Sequence, residues 1–325
     1  MSDRALYLLG PQRHVPTVRD ALDELDLEGG ALGICTAGWE EREHETSEFE
    51  RHVGEDFEVI NLEVFERVER CLLNDSQLRR AWQRRNDRRR TIQDLYDLRL
   101  GHALAAVREL STRDDDQDLL LPQWTEAIAA VRELDRAHEQ RIADLHRDFF
   151  EVDRAHDFAS VKQSRDELSS LLERCTALCI AGGHVGTLLD RIRLLDLLGL
   201  FERTESQKRP VLAWSAGAMA LCSRVVLFHD SPPEGAGNAE VWDPAFEIVP
   251  GIVPLPHANH RLRLDDLSRV RIFANRFGED RLVLLDPGTK IRCEGTSLSA
   301  VTNDVRVLER DGSVQSVAPG DRLGA

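Results

Sequence analysis

Residues 211–219 read Val-Leu-Ala-Trp-Ser-Ala-Gly-Ala-Met, and this stretch is the most informative part of the chain about its fold. An apolar run leads straight into Ser215, and the small residues Ala216, Gly217 and Ala218 follow it directly. The pattern predicts a buried strand that turns sharply into a helix with a serine at the corner, where small residues leave room for a strained backbone and a substrate carbonyl. The N-terminus of the helix offers free N–H groups and a positive dipole end. The alternative is an ordinary serine N-cap.

Strand and helix signals alternate on both sides of this corner. Strands are predicted over 5–9, 31–36, 57–62 and 177–181, with helices over 17–25, 160–174 and 188–198. Later strands are predicted over 225–228, 282–285 and 305–309, with a hairpin turn at Asp311-Gly312. Alternation of this kind predicts an α/β protein with a doubly wound, mostly parallel sheet covered on both faces.

The segment from about 64 to 156 has few strand signals and many charges. It predicts two long helices, at about 64–111 and 122–156, joined by a polar turn at 111–116, with Pro122 in the first turn of the second helix. Apolar residues of the second helix alternate at spacings of three and four, and Asp135 and His138 interrupt that stripe. We therefore predict an α/β domain over 1–63 and 157–325, with an antiparallel, coiled-coil-like helical hairpin inserted at 64–156.

The charge balance excludes several classes of partner. The 325 residues carry a net charge of −16, which argues against a general nucleic-acid or anionic-membrane binder. The densest basic cluster is predicted to be a solvated or salt-bridged helix face, with Glu126, Glu133 and Glu139 of the facing helix as partners. Nucleic-acid contact is its less favoured alternative. The cluster consists of Arg79, Arg80, Arg84, Arg85, Arg88, Arg89 and Arg90.

Apolar runs and cysteines indicate the compartment. No run is long enough to span a bilayer, and the N-terminal residues lack a signal-peptide pattern, so a cytoplasmic location is predicted. The six cysteines form no CxxC pair and several lie in apolar runs, which predicts buried, reduced thiols.

Three further segments supply the residue types that a serine nucleophile needs. Gly182-Gly183 follows a predicted strand, where glycines let backbone N–H groups approach a ligand, although a plain turn is the alternative. Asp230 follows the strand at 225–228, at the ligand-binding edge of a parallel sheet. His257 follows a Pro-rich segment, 250–256, that is predicted to be a rigid loop, and His260 lies three residues later.

These segments resemble the aspartyl dipeptidase (dipeptidase E) and cyanophycinase family of serine peptidases, whose fold is similar to that of the class I glutamine amidotransferases. Residues 181–189 resemble the family's Gly-Gly-Asn-x-x-x-Leu-Leu segment, and 214–218 resemble its Ser-Ala-Gly-Ala corner. Residues 246–257 resemble the segment that ends in the family's Pro-His. Asp230 lies fifteen residues after Ser215, the offset of the triad acid in dipeptidase E.

The resemblance implies a role for each matching residue. Ser215 is implied as nucleophile, His257 as general base and Asp230 as the carboxylate that orients the imidazole. The backbone N–H groups of Gly183 and Ala216 are implied as the oxyanion hole.

The roles of several other residues near these motifs stay open. Gly182, His184, Trp214 and His260 are possible substrate-side residues, and His184 stands where the family commonly has Asn. The acid has three alternatives on the segment that follows the corner, namely Glu234, Glu240 and Asp243. The arginines considered for binding a substrate carboxylate are Arg191, Arg261 and Arg263.

The candidate nucleophile, base, acid and oxyanion hole together predict a serine hydrolase that cleaves a small peptide or amide through an acyl-enzyme. No cofactor and no metal are predicted. Ser215 stands where a glutamine amidotransferase has its cysteine, which disfavours that activity. The alternative is a non-catalytic or regulatory scaffold on the same fold, with the hairpin mediating homodimerisation or partner binding.

Overall fold

A computed structural model of the chain describes residues 4–204, 208–228, 237–295, 297–303 and 305–323. The strands are β1 (Ala5–Leu9), β2 (Gly30–Cys35), β3 (Phe57–Asn61), β4 (Cys175–Ile180), β5 (Val211–Trp214), β6 (Arg224–Leu227), β7 (Glu240–Pro244), β8 (Ile252–Pro256), β9 (Arg281–Leu285), β10 (Lys290–Glu294), β11 (Ser297–Ala300), β12 (Arg306–Leu308) and β13 (Val314–Ser316).

The helices that follow these strands account for the rest of the regular structure. They are α1 (Val18–Asp23), α2 (Ser47–Val53), α3 (Val64–Asn74), α4 (Ser76–Thr112), α5 (Gln117–Arg147), α6 (Ala159–Leu172), α7 (Val185–Leu195), α8 (Leu197–Arg203), α9 (Ala216–Leu221), α10 (Ala258–Arg261) and α11 (Leu267–Phe277). Short helical turns of other types cover Ala37–Arg42, Asp148–Val152 and Ala155–Asp157.

A seven-stranded sheet with the order β11-β10-β1-β5-β4-β2-β3 forms the centre of the molecule. The five strands from β1 to β3 in this order pair in parallel, and β10 and β11 add an antiparallel edge. Both faces are buried. In β1, Leu6 and Leu8 join one apolar cluster while Tyr7 and Leu9 join another. The predicted α/β class with a mostly parallel sheet is confirmed.

A second sheet, which the sequence did not predict, has the order β13-β12-β9-β8. Its β8 and β9 are parallel, and Pro256 pairs with Leu285 at their carboxyl ends. The segment 250–256 was wrongly predicted as a loop because its prolines argue against a central strand. Prolines are tolerated at a sheet edge, and β8 is an edge strand of this sheet. The turn at Asp311-Gly312 does join two antiparallel strands, β12 and β13.

Four α-helices, α3 to α6, lie between the third and fourth strands in the chain. The predicted single helix over 64–111 is divided at Asp75, whose carboxylate accepts hydrogen bonds from the N–H groups of Gln77 and Leu78 and so begins α4. Helix α5 begins at Gln117 because Asp116 caps it. Pro122 is therefore inside the helix and not in its first turn.

The hairpin of α4 and α5 packs along the rest of the molecule. Tyr96, Leu100 and Leu104 of α4 share one apolar cluster with residues of β8, β9 and α11. Arg132 of α5 also donates to the carbonyl of Asn275 on α11, at 2.9 Å from its Nε. The hairpin thus has one buried face and one face open to solvent.

Buried ion pairs fix the base of the hairpin. Arg85 and Arg89 of α4 both reach Asp190 of α7, at 2.5 and 3.3 Å, and Arg89 also reaches Asp243 of β7 at 2.5 Å. The predicted partners are wrong, since Glu139 pairs with Arg224 instead. Arg85 and Arg89 lie on the buried face of α4 and point past α5 to α7 and β7, whereas Glu126 and Glu133 are exposed on α5.

Two predictions from composition can be compared with the described residues. All six cysteines are buried and free, as predicted. In the ranges that the structure describes, no helix combines the length and apolar character needed to cross a bilayer.

Candidate active site

Ser215 occupies the predicted corner between β5 and α9, with φ 52° and ψ −120°. A positive φ is rare for a residue with a side chain and costs about 1–3 kcal/mol, which the surrounding structure must offset. The close packing of the corner explains its small residues. A Cβ on Gly217 would lie 2.3 Å from the carbonyl oxygen of Ile180, and one on Gly182 would lie 3.2 Å from Ser215 Oγ. This backbone is the one expected of a strand–helix nucleophile turn.

The central position of β5 places Ser215 among the carboxyl ends of parallel neighbours. The Ser215 N–H donates to the carbonyl of Leu9, the last residue of β1, at 3.2 Å. Gly182-Gly183 follows β4 on the other side. The carboxyl edge of a parallel sheet is where ligands bind in open α/β folds.

Two cavities of about 410 Å³ each meet at Ser215. The first, named here the Trp39 cavity, is lined by Trp39, Gln12, Phe49, Trp214 and His257 among others. The second, the Arg261 cavity, is lined by Arg261, Phe228, Glu240, Pro256 and Ala216 among others. Ser215 and Gly183 line both, so a bound chain that crosses Ser215 has room on either side.

Gly183 holds a backbone conformation that requires glycine. Its φ is +124°, and a Cβ there would lie 2.3 Å from the carbonyl oxygen of Gly38. That carbonyl accepts the His184 N–H at 2.7 Å, which fixes the turn between β4 and α7. Ala216 is the first residue of α9, so its N–H has no acceptor inside the helix. Both residues line the Arg261 cavity beside Ser215.

His257 follows β8 in a left-handed conformation, with φ 57° and ψ 33°. Burial lowers the pKa of the His257 imidazole, the Arg261 guanidinium lowers it further, and the carboxylate of Asp286 opposes both. The net effect is a pKa below the ordinary value. The imidazole is therefore neutral near pH 7, which is the state that a general base needs.

Asp286 is the described carboxylate whose charge acts on His257. It is 5% exposed and follows β9 directly, so the parallel pairing of Pro256 with Leu285 places His257 and Asp286 at the same edge. Asp286 Oδ1 accepts the N–H of Asn259 at 3.1 Å, and Oδ2 accepts from Arg306 at 2.7 Å. These contacts hold the carboxylate in place.

The carboxylates predicted from the sequence have other positions. Asp230 and Glu234 lie outside the described residues. Asp243 is fully buried and ion-paired to Arg89 and Arg193, so it does not serve His257. Glu240 lies in the Arg261 cavity, where it accepts a hydrogen bond from Gln93 at 2.9 Å.

The possible substrate-side residues divide into two groups. Gly182 and Trp214 line the Trp39 cavity, and Trp214 is nearly buried, stacked on Phe49 with ring centroids 5.6 Å apart. His184 and His260 are exposed and line neither cavity. His184 instead caps α7, since its Nδ1 accepts the Thr187 N–H at 3.1 Å.

The described part of the chain contains no group of three or more His, Cys, Asp or Glu side chains arranged to hold a metal ion.

The model of peptidase family S51 matches residues 128–301, which is more than half of the chain. The chain belongs to peptidase family S51. The matched range contains β4 through β10, and with them Ser215, Gly183, His257 and Asp286. The resemblance inferred from the sequence motifs is therefore confirmed, and the chain is a member of a family of serine peptidases.

Two of the solved structures that match the chain have peptidase descriptions. A peptidase from an acI-B1 Actinobacterium has a TM-score of 0.50 and 14% sequence identity, covering 99% of this chain and 97% of its own. A peptidase E candidate from Listeria monocytogenes EGD-e has a TM-score of 0.45 and 12% identity, with 92% and 98% covered. No curated protein matches the chain.

Asp286 is the site residue of this S51 member that the sequence did not reveal. A signal for it was present, since an aspartate directly follows the predicted strand 282–285. Its relation to His257 depends on the pairing of β8 with β9, and the first of these strands was predicted as a loop.

Proposed function

We propose that this S51 member is a serine peptidase of small peptides in which Ser215 is the nucleophile, His257 the general base and a carboxylate the group that orients His257. The observation that carries the proposal is the strained corner at Ser215, with φ 52° and ψ −120°, opening into a cavity that His257 also lines. Strain of this kind persists where the surrounding structure enforces it, and it concentrates at active sites.

The proposed reaction has two steps. Ser215 Oγ attacks the carbonyl carbon of the scissile amide while His257 takes the hydroxyl proton, and the N–H groups of Gly183 and Ala216 stabilise the oxyanion. His257 then gives its proton to the leaving amine as the C–N bond breaks. Water, deprotonated by His257, hydrolyses the acyl-serine ester and regenerates Ser215.

Two carboxylates are candidates for orienting His257. Asp230 has the position along the chain that the family resemblance implies. Asp286 is favoured by its burial, its fixed hydrogen bonds and its electrostatic effect on the imidazole. We propose that Asp286 is this carboxylate.

Covalent labelling tests the nucleophile. A fluorophosphonate probe is expected to add one phosphonyl group to the native protein, because Ser215 Oγ forms the P–O bond as fluoride leaves and His257 takes the proton. Intact mass and peptide mapping would place the adduct on Ser215. Ser215→Ala is expected to abolish it, and Ser223→Ala, which changes a serine eight residues further along the chain, is expected to retain it. A native protein that stays unlabelled, or an adduct at another serine, would contradict the proposal.

The Arg261 cavity supports a preference for substrates that carry a carboxylate. No carboxylate in the described ranges lies within ion-pair distance of Arg261, and burial lowers the pKa of its guanidinium. On the same cavity, burial and the neighbouring Asp97 raise the pKa of Glu240 to about 7. A cation and a carboxyl group in one small cavity fit a short peptide that has both an acidic group and a free amine.

Arg261→Gln is expected to change selectivity. Loss of a charge-assisted hydrogen bond, about 1.5–3 kcal/mol, predicts a fall of roughly 10- to 150-fold in kcat/KM for peptides with an N-terminal aspartate. The matching asparagine peptides are expected to change less than about threefold. Arg263→Gln is the control, since that half-exposed side chain faces Asp265 at 4.0 Å and lines neither cavity. Equal losses for both peptides would contradict carboxylate binding by Arg261.

A further inference from the structure

The outward face of α4 carries two exposed leucines. Six of the nine large hydrophobic side chains that are exposed lie between residues 73 and 152. Two of them, Leu95 at 59% and Leu98 at 61% exposure, are one turn apart in the middle of α4. They lie on the side opposite to Tyr96, Leu100 and Leu104, which pack into the core. Both leucine side chains stay mostly exposed among the described residues.

Charged residues flank the two leucines in a symmetric order. At a helical repeat of 3.6 residues, Arg84, Leu95, Leu98 and Glu109 fall on one stripe of α4. Arg84 lies eleven residues before Leu95, and Glu109 lies eleven residues after Leu98. The stripe is therefore basic at one end, apolar in the middle and acidic at the other end.

A stripe with this order is complementary to itself when two copies run antiparallel. Aligning Leu95 of one copy with Leu98 of the other also aligns Arg84 of each copy with Glu109 of the other. Both leucine contacts and both ion pairs form in the same register, as a twofold interface requires. The Arg79-Arg80 pair then lies near the acidic turn at 114–116 of the other copy.

We propose that a second copy of this chain binds the outward face of α4, with the two α4 helices antiparallel and centred between Leu95 and Leu98. Helix α4 has 37 residues and is about 55 Å long. A contact face about 10 Å wide would bury on the order of 1,100 Å² in total, just below the roughly 1,200–2,000 Å² of stable specific interfaces and within the range of weak, transient ones. The dimer is accordingly weak and dissociates on dilution.

This proposal gives the exposed arginines a role that does not involve nucleic acid. Arg85 and Arg89 pair with Asp190 and Asp243, whereas Arg80, Arg84 and Arg88 are exposed on the outward side of α4. Arg84 has an exposed contact with Asp153 at 2.9 Å within its own chain. Pairs of this kind contribute little, so Arg84 can exchange Asp153 for Glu109 of the other copy at small cost.

Light scattering of the full chain over a range of concentrations tests the interface. The native protein is expected to shift from monomer to dimer as concentration rises, and Leu95→Glu with Leu98→Glu is expected to remain monomeric. Val15→Glu is the control, because Val15 is 47% exposed between β1 and α1, outside the helical hairpin. A native protein that is monomeric throughout, or a dimer that survives both glutamates, overturns the proposal.

Charge reversal tests the register. Arg84→Glu and Glu109→Arg are each expected to weaken the dimer several-fold, and the double variant is expected to restore it because each pair is rebuilt in reverse. Arg84→Glu also removes the Arg84–Asp153 contact within one chain. The thermal unfolding temperature of the monomeric variant measures that effect separately from the change in dimer affinity. Failure of the double variant to recover more affinity than either single variant would exclude this register. A mobility shift with DNA that disappears in Arg84→Glu, from a protein that never dimerises, would assign the face to nucleic acid instead.

Discussion

A His257→Ala enzyme is expected to cleave its peptide substrates roughly 10⁴-fold more slowly than the native enzyme, or worse. Without the imidazole, the Ser215 hydroxyl has no base to take its proton, and the leaving amine has no acid to protonate it. The corner at Ser215 and the Gly183 turn do not depend on this side chain, so binding and oxyanion stabilisation remain. The loss should therefore appear in kcat more than in KM.

Measurement of kcat and KM for an N-terminal aspartyl dipeptide would test this, with His260→Ala as the matched control. His260 is exposed and lines neither cavity, so its replacement is expected to leave kcat within about threefold. Partial recovery of His257→Ala by added imidazole would support the assigned role. A variant that keeps native kcat would remove His257 from the mechanism.

The same assay distinguishes the two candidate carboxylates. Asp286→Asn is expected to lower kcat by roughly 10²- to 10⁴-fold, because the amide no longer stabilises the imidazolium that forms during the reaction. Asp286 also opposes the lowering of the His257 pKa, so its loss should move the acidic limb of the kcat/KM profile to still lower pH. If Asp230→Asn shows the large loss and Asp286→Asn does not, Asp230 is the acid.

The sequence was most informative where chemistry and local geometry coincide. The Ser215 corner and the Gly182-Gly183 turn need glycine or other small residues because neighbouring backbone and side-chain atoms lie only 2.3–3.2 Å from where a Cβ would be. Such positions can be recognised in the sequence because they require glycine or another small residue. The strands that flank them are short apolar runs, and β1, β4 and β5 were predicted within two residues of their observed bounds.

The sequence was least informative where a contact depends on pairing over a long distance. The second sheet brings β8 beside β9, and only that pairing relates Asp286 to His257. Strand β8 was not predicted because Pro254 and Pro256 lie within it. The arginines of α4 were predicted as a solvated or salt-bridged face paired with α5, since the local pattern does not reveal that α7 and β7 supply Asp190 and Asp243 to buried Arg85 and Arg89.

Asp243→Asn is expected to destabilise the protein by roughly 3–5 kcal/mol. Asp243 has no exposed surface and is 2.5 Å from Arg89 and 2.7 Å from Arg193. The neutral amide would leave these guanidinium groups in a buried site with less negative charge to offset them. Asp190 still faces Arg89, so the loss falls mainly on Arg193 and on the attachment of β7 to the hairpin.

The pH dependence of stability follows from the same contacts. Burial alone would raise the pKa of Asp243, but Arg193, His146 and Arg89 outweigh it and hold that pKa well below the ordinary value. A carboxyl whose pKa is lower in the folded state stabilises the fold above its unfolded pKa, near 4, and this contribution declines as the pH falls below that value. The difference between the native protein and Asp243→Asn should therefore shrink in acid.

Urea unfolding at pH 7 and at about pH 3, below the unfolded pKa, would measure both effects. Glu58→Gln is the control, because Glu58 pairs with Arg174 at 2.8 Å while both side chains are more than half exposed, and its loss should cost less than about 1 kcal/mol. A loss in Asp243→Asn no larger than in Glu58→Gln would mean that the buried pairs contribute nothing net. The measurement bears on activity as well, because Arg193 and Asp190 belong to α7, the helix that follows the Gly183 turn. In Asp243→Asn, a weakened α7 should lower kcat even where the protein is still folded. Glu58→Gln should leave both kcat and the fold unchanged.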